Sequence, residues 1–398
     1  MTQQLDLVFL VDSTGSMGQY LESAKRNIRH IVETIQTSEN IDLRFSLVEY
    51  KDHKPIEPSF AVKEYGWKTT SDDIYNDIAQ LSAYGGGMDG PESVTCAFST
   101  AVEYDFRQYA AKIIIWICDA PPHGFNIQYD GFPDGCPCGI DFQKVVLKAV
   151  QKDIQVYSIA CEPIRSIYRH FRDLMRAVAQ ITGGQFVPLI SADSLGDVII
   201  GGSLEGVGMK DAMNLITLRM EAVDGFDKMT KDEKEKLTRK EIAEYFANGK
   251  NKIKQVEVKS VFKGEMPEIP KIYFLAQTFK ELVDVLKTRE PSVYHFVDGV
   301  KLDEYVPTPQ SFWDKSGVAA YHRKVRGEEV ESVKIELCNE DEYRIYRGFG
   351  KEREGDDQVQ NKKVENFKEG ETVRVQEAPV GPEQQEKLIS RLMRKLKN

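Results

Sequence analysis

The 398-residue sequence lacks three features: a long apolar run, an excess of basic residues and a high density of cysteine. No stretch approaches the roughly 20 apolar residues that a membrane-spanning helix needs, so we expect no membrane span. The net charge of −10 argues against a nucleic-acid partner, because phosphate binding requires a basic surface. Six cysteines are too sparse for a secreted disulfide scaffold, and the first residues lack the basic region of a signal peptide. The sequence therefore predicts a cytoplasmic protein.

Hydrophobic residues make up 41% of the chain, which is enough for folded domains, and the length predicts more than one. Strand-like and helix-like segments alternate over the first 190 residues, which is typical of an α/β fold. We expect a Rossmann-like, doubly wound and mainly parallel sheet. Its strands are predicted at 5–11, 41–50, 111–118, 154–161 and 184–189, and its helices at 18–37, 71–82, 91–103, 141–152 and 165–181.

The composition changes near residue 190. We predict a closing helix at 191–214 interrupted at Gly201-Gly202, a helix at 230–247 with capping boxes starting at Thr230 and Thr238, a strand at 254–259 and a helix at 279–287. Strands are also predicted at 330–337 and 372–375. The predicted organisation is an α/β domain (1–205), a helical and mixed connecting region (206–290), a small α+β or β-rich module (291–383) and a C-terminal amphipathic helix (384–398).

The C-terminal helix has Leu388, Leu392 and Met393 on one face, and Arg391 is among the basic residues of the other. Docking against the protein's own core is the simpler interpretation of this pattern. Binding to a partner or to an anionic surface is the alternative.

Oxygen-bearing side chains follow the first predicted strand. Asp12, Thr14 and Ser16 alternate, so one carboxylate and two hydroxyls can face the same point while Gly15 lets the backbone bend. Such ligands suit Mg²⁺ or Mn²⁺. Asp119 follows the apolar strand at 112–118, and ligands of parallel sheets bind beyond the carboxyl ends of the strands.

These motifs, with the glycine-rich loop that contains Asp89, resemble the metal-ion-dependent adhesion site of von Willebrand factor type A domains. Thr14 stands where the family usually has serine, and Met88 is inserted before Asp89. The resemblance implies a metal site made of Asp12, Thr14, Ser16, Asp89 and Asp119. It also implies that Mg²⁺ or Mn²⁺ there accepts an acidic residue from a protein partner.

A loop at 121–141 follows Asp119, and its sequence resembles the corresponding loop of type A domains linked to alpha-kinases. Cys136-Pro137-Cys138 near His123 could hold a soft metal, but structural zinc normally uses four ligands and no second pair is visible. Shaping of the loop is therefore favoured over a metal or redox role. The residues predicted to form a rim around the ion are Ser13, Met88, Glu92, His123, Cys136 and Cys138.

No phosphate-binding motif or nucleophile elbow accompanies these features, so a kinase module is not expected. We predict a metal-dependent protein-binding module, adhesion-type or scaffold, that acts inside the cell. One alternative is a metal-dependent enzyme, with Glu92 or His123 as base, or a regulatory relative of the alpha-kinase-linked proteins. Another is a scaffold with a vestigial metal site that acts through residues 215–398.

Overall fold

The computed structural model describes residues 3–38, 41–86, 89–127, 130–162, 164–165, 167–189, 192–247, 251–258, 262–263, 266–296 and 373–395. The strands and helices, in chain order, are β1 (Gln4–Asp12), α1 (Gly18–Ser38), β2 (Asp42–Tyr50), β3 (Val62–Glu64), α2 (Ser71–Ala79), α3 (Val94–Glu103), β4 (Ala111–Cys118), α4 (Phe142–Gln151), β5 (Ile154–Cys161), α5 (Phe171–Thr182), β6 (Phe186–Leu189), α6 (Leu195–Glu221), α7 (Lys231–Phe246), β7 (Lys252–Val258), α8 (Ile272–Leu275), α9 (Phe279–Leu286), β8 (Val373–Pro379) and α10 (Pro382–Lys395).

The first six strands form one sheet in the order β3-β2-β1-β4-β5-β6. All neighbours in this sheet are parallel except β3, which pairs antiparallel with β2 at the edge. The predicted doubly wound, mainly parallel sheet is confirmed. Strand β3 was not predicted, because three residues at an exposed edge give no apolar pattern.

Strand β4 shows why its sequence is continuously apolar. Ile113, Ile115 and Ile117 join the core on the face covered by α1 and α6. Ile114 and Trp116 point to the opposite face and join the core under α3, α4 and α5. Because helices cover both faces, successive side chains of this central strand all need to be apolar.

The second face carries an additional cover from α8, α9 and the residues around them. Phe279 stacks on Phe125, with ring centroids 5.8 Å apart, and meets Phe142 edge-on at 5.5 Å. Part of the predicted connecting region 206–290 thus packs on the sheet. The limits of the four predicted segments stay a prediction.

Helix α6 begins at Leu195, not at 191, and runs without a break to Glu221, so the predicted interruption at Gly201-Gly202 is wrong. A side chain on Gly202 would place its Cβ 2.8 Å from the ring of Tyr157 in β5. The glycine therefore permits close packing of helix on sheet.

Beyond the sheet, α6, α7, β7 and α10 enclose a third apolar core, in which Leu388 and Leu392 of α10 are buried. Strand β8 pairs antiparallel with β7, from Lys252 opposite Pro379 to Val258 opposite Val373. The docking of the C-terminal helix on the protein's own core is confirmed. Arg391 is buried too, contrary to its predicted polar face, and pairs with Asp153 at 2.9 Å.

Several predicted helix limits are corrected. The helix predicted at 165–181 begins at Phe171, because the chain before it forms turns in which the amides of Tyr168 and Phe171 donate to the carbonyls of Arg165 and Tyr168. The capping box at Thr230 is confirmed, whereas Thr238 lies inside α7 and donates to the carbonyl of Lys234.

The helices predicted at 71–82 and 91–103 are shorter, spanning Ser71–Ala79 and Val94–Glu103. The segment predicted as a strand at 330–337 lies outside the described residues. No helix in the described part of the chain combines the length and apolar content that a bilayer crossing requires.

Candidate metal centre

Asp12, Thr14, Ser16 and Asp119, which we call the oxygen site, lie at the carboxyl ends of the adjacent strands β1 and β4. Asp12 is the last residue of β1, and Asp119 directly follows β4. Both the amide and the hydroxyl of Thr14 donate to Asp12 Oδ1, at 2.8 and 2.6 Å. The hydroxyls of Thr14 and Ser16 lie 3.3 Å apart. The structure thus brings Asp12, Thr14 and Ser16 into one turn, with the charge of Asp119 acting on Asp12 from the end of the neighbouring strand.

The oxygen site disfavours two charged carboxylates, those of Asp12 and Asp119, in the absence of a cation. Burial, and then the charge of Asp119, raise the pKa of Asp12 to about 8, although the hydrogen bonds from Thr14 oppose this shift. Lys51 has a smaller opposing effect. A bound divalent cation would stabilise the charged carboxylates and reverse the shift.

The residues present fit such a cation. Asp12 is fully buried, and none of the described residues makes a hydrogen bond to its Oδ2 atom. A buried carboxylate oxygen without a donor is costly unless something else compensates its charge. Ser16 is exposed, so the oxygen site is open to solvent on the side of the Ser16 hydroxyl.

The glycine-rich loop lies directly against this turn. The amide of Gly15 donates to the carbonyl of Gly85 at 3.2 Å. Gly86 has φ +100°, and a Cβ there would lie 2.6 Å from Cβ of Thr14. The loop can approach the oxygen site this closely only because that position is glycine. Gly87 and Met88 lie outside the described residues, so the rim position predicted for Met88 stays a prediction.

Asp89, predicted as a metal ligand, is directed toward a different group of side chains. Its Oδ2 accepts from the amide of Gly131 at 2.7 Å and lies 3.8 Å from Nδ1 of His123. Burial and the charge of Asp52 raise its pKa well above the usual range. The role of Asp89 as a ligand in the oxygen site stays a prediction. Its contacts with Gly131 and His123 do not support that role.

Glu92 takes a position closer to the oxygen site. Its Oε1 atom would lie 2.9 Å from a Cβ on Gly86, the same Cβ that would meet Thr14. Burial raises its pKa well above the usual range, and Asp12 contributes the largest share among the neighbouring charges. Its Oε2 has no hydrogen-bond partner among the described residues. Glu92 was predicted as a rim residue, but it is buried.

Ser13 is also buried rather than displayed on a rim. Both its amide and its hydroxyl donate to the carbonyl of Tyr50 at the end of β2, at 3.0 and 3.3 Å. These two bonds hold the turn after β1 to the neighbouring strand.

His123, in the loop at 121–141, is the centre of a buried network with two aspartates. Its Nδ1 contacts Asp130 at 2.7 Å and its Nε2 contacts Asp52 at 2.6 Å. Burial alone lowers the pKa of His123, but the charge of Asp52 and the two hydrogen bonds raise it well above the usual range. A protonated imidazole therefore bridges two carboxylates. Because both nitrogens are engaged, His123 holds the loop rather than offering a free base.

Cys136 and Cys138 lie close to two side chains that no sequence motif links to them. Cys136 Sγ lies 3.3 Å from Cys96 Sγ in α3 and 3.6 Å from Nε2 of His53, in the loop after β2. A hydrogen bond from Cys96 lowers the pKa of Cys136 to about 4, and the pKa of Cys96 is raised. We call His53, Cys96, Cys136 and Cys138 the thiolate cluster. Only tertiary packing joins its members, so spacing gave no signal for His53 or Cys96.

The comparisons with known proteins agree with the fold. The sequence model of the family described as the von Willebrand factor type A domain matches residues 6–194. The chain is 28% identical over 156 residues to the alpha-protein kinase vwkA of Dictyostelium discoideum, covering 38% of this chain and 24% of that protein. It is 30% identical over 198 residues to an ariadne-like RING finger protein of Acanthamoeba polyphaga mimivirus, covering 48% and 18%. The chain thus matches about a quarter or less of the length of these relatives.

Among solved structures, the pilus adhesin SpaC of Lactobacillus rhamnosus GG in its open conformation is similar, with 11% identity and a TM-score of 0.39. That match covers 52% of this chain and 30% of the adhesin. The proximal thread matrix protein 1 from the mussel byssus has 15% identity and a TM-score of 0.35, covering 50% and 48%.

Proposed function

Because residues 6–194 of this chain form a von Willebrand factor type A domain, generally a protein-interaction module, we propose that it binds a protein partner inside the cell through a divalent cation. Asp12, Thr14 and Ser16 would hold Mg²⁺ or Mn²⁺, with the charge of Asp119 close by. When bound in this site, the cation would act as a Lewis acid that can accept one further oxygen ligand. An acidic side chain of the partner would provide that ligand.

The buried Oδ2 atom of Asp12 carries this proposal. It has no hydrogen-bond partner among the described residues, and it belongs to a carboxylate whose other oxygen is already fixed by Thr14. A carboxylate that only capped the turn would need no second oxygen buried in this way. Hard oxygen donors of this kind favour Mg²⁺ or Mn²⁺ over softer metals.

Charge supports a carboxylate-bearing partner. Burial and the charge of Asp119 raise the pKa of Asp12, and burial and the charges of Asp12 and Asp119 raise the pKa of Glu92. Without a cation this crevice therefore disfavours a further negative charge. With the cation bound, the local field favours an anionic ligand. Binding of partner and cation should therefore depend on each other.

Binding of Mn²⁺ alone tests the first half of the proposal. We expect the electron paramagnetic resonance signal of free Mn²⁺ to fall on addition of the protein. Asp12→Ala should weaken this binding at least about 100-fold, because it removes the buried ligand. Asp227→Ala, the same change at an exposed aspartate far along the chain, is the matched control and should bind Mn²⁺ like the wild type. Equal binding by Asp12→Ala would contradict the assignment.

Capture of a partner tests the second half. Crosslinking in a cell lysate with Mg²⁺, with EDTA, and with the Asp12→Ala protein should identify proteins present only in the first sample. A partner retained in all three samples would place the interaction elsewhere on the chain. Replacing candidate acidic residues of the captured partner with alanine would then show whether a carboxylate meets the ion.

A further inference from the structure

The thiolate cluster lies apart from the residues that the proposed function uses. From its composition and geometry, we propose that His53, Cys96, Cys136 and Cys138 bind one structural Zn²⁺ ion that fixes the loop at 121–141 to the sheet. One atom from each residue, three sulfurs and one imidazole nitrogen, lies within 4.8 Å of the corresponding atoms of the other three.

The ligand set matches what zinc prefers. Three cysteines and one histidine form one of the common structural zinc sites, with Zn–S distances of about 2.3 Å in a tetrahedron. Such a tetrahedron separates its ligand atoms by about 3.8 Å. The 3.3 Å between the sulfurs of Cys96 and Cys136, and the 3.6 Å from Cys136 to His53, require only small adjustments. Soft thiolates exclude Mg²⁺ from this site.

The local structure presents the ligands from three separate elements. His53 comes from the loop after β2, and Cys96 from the first turn of α3. The amide of Gly139 donates to the carbonyl of Cys136 at 3.0 Å and closes a turn that contains both Cys136 and Cys138. The turn holds the sulfurs of Cys136 and Cys138 within 4.8 Å of each other, so both can bind the same ion.

Four protein ligands leave no open position, which indicates a structural rather than a catalytic ion. The cluster adjoins the His123 network. The His53 ring lies 5.7 Å from His123 and 5.8 Å from Phe132, and its amide donates to Asp52. Zinc at the cluster would thus hold the loop over the network and beside the oxygen site.

A disulfide between Cys96 and Cys136 is the competing use of these thiols. It would engage two of the four groups and would leave Cys138 and the imidazole of His53 without a role. A zinc ion uses all four. Cys138 is exposed, so its replacement should leave the fold intact and provide a clean test.

The experiment uses the full chain, purified under reducing conditions with Zn²⁺ supplied. Elemental analysis should give one zinc per chain. Cys136→Ala and Cys138→Ala should lower zinc affinity by more than the about 10- to 100-fold that loss of an outer-shell partner costs. Cys161→Ala, the same change at a buried thiol outside the cluster, should keep the zinc. Circular dichroism of each variant shows whether it has folded.

Co²⁺ in place of Zn²⁺ reports the ligands directly, because a tetrahedral thiolate site gives visible ligand-field bands and a sulfur-to-cobalt charge-transfer band. We expect the charge-transfer band to fall by roughly a third when one of three thiolates is removed. Folded wild-type protein without zinc, a Cys96–Cys136 disulfide under reducing conditions, or full zinc content in folded Cys138→Ala would each overturn the proposal. Because Asp12→Ala should retain its zinc, failure here is distinguishable from failure of the proposed function.

Discussion

The oxygen site and the thiolate cluster have different chemistries, although Asp119 directly precedes the loop at 121–141 and Cys136 and Cys138 belong to it. The first uses a carboxylate and hydroxyls, and it opens to solvent through Ser16. The second uses three sulfurs and an imidazole, which provide four ligands. Since metal selection follows ligand type and geometry, these two sites can discriminate between a hard and a borderline-soft ion. The open site is suited to binding and the closed one to structure.

The largest expected effect comes from His123, which bridges Asp52 and Asp130 and whose ring lies 5.7 Å from that of His53. In His123→Gln, the buried carboxylates of Asp52 and Asp130 lose their shared cation, and we expect a loss of about 3–5 kcal/mol in the free energy of unfolding. Urea unfolding measures this loss. The control is His30→Gln at an exposed position, which should cost almost nothing. A similar small loss for both variants would show that the network does not support the loop.

A cross-test separates the two metals. Asp12→Ala should lower the affinity for Mn²⁺ by about 100-fold and leave the zinc content unchanged. Cys138→Ala should lose zinc, and its affinity for Mn²⁺ should stay within a few-fold of the wild type. Elemental analysis and Mn²⁺ titration of the same preparations measure both. If each substitution removed both metals, the two regions would be a single coupled site and the comparison would fail.

The pKa of Asp12 predicts a pH effect on the metal-free protein. Its carboxyl keeps a proton up to about pH 8 when folded but loses it near pH 4 when unfolded. The folded state therefore binds more protons between these values, and the free energy of unfolding falls as pH rises. We expect a loss of about 2–3 kcal/mol between about pH 5.5 and about pH 7.5 in EDTA.

Asp12→Asn should remove the share of this slope that Asp12 contributes and leave the shares of Asp89, Glu92 and His123, whose pKa values are also raised. Mg²⁺ should restore the stability of the wild type at the higher pH. Urea unfolding at the two pH values, with and without Mg²⁺, is the measurement. Parallel slopes for wild type and Asp12→Asn would assign the pH effect to other groups.

The smallest expected effect tests the approach of the glycine-rich loop to the oxygen site. In Gly86→Ala, the new Cβ would lie 2.6 Å from Cβ of Thr14 on a backbone with an unfavourable positive φ. We expect the substitution to lower the free energy of unfolding by about 2 kcal/mol and to weaken Mn²⁺ binding. Gly66 also has a positive φ, +70°, but a Cβ added there would have no atom within 4 Å. This control should cost about 1 kcal/mol and leave Mn²⁺ binding unchanged. Equal effects would show that the close approach is unimportant.

Sequence reasoning found the oxygen site because its parts are local. Asp12, Thr14 and Ser16 alternate within five residues, and Asp119 directly follows an apolar strand. The direction of Asp89 was not predictable, since it depends on the amide of Gly131 in a different loop. The main strands and their mainly parallel arrangement followed from the alternating pattern, whereas the short β3 did not.

The thiolate cluster shows the opposite case. Cys96 lies 40 residues from Cys136, and His53 lies 83 residues from it, so no spacing rule joins them. Their meeting depends on how α3 and the loop after β2 pack against the loop at 121–141. The pairing of β7 with β8 is similar, because Lys252 and Pro379 are distant in sequence and meet only in the folded chain.

Asp52 and His53 are adjacent, yet the first bonds His123 and the second faces the thiols of the cluster. A one-residue insertion or deletion at this dipeptide would shift both side chains at once. The two neighbours therefore constrain the length of the segment after β2, and we expect homologues to keep or lose the histidine bridge and the cysteines together. A relative that carries the cysteines in the same loop, but no acidic residue before the histidine, would be an informative exception.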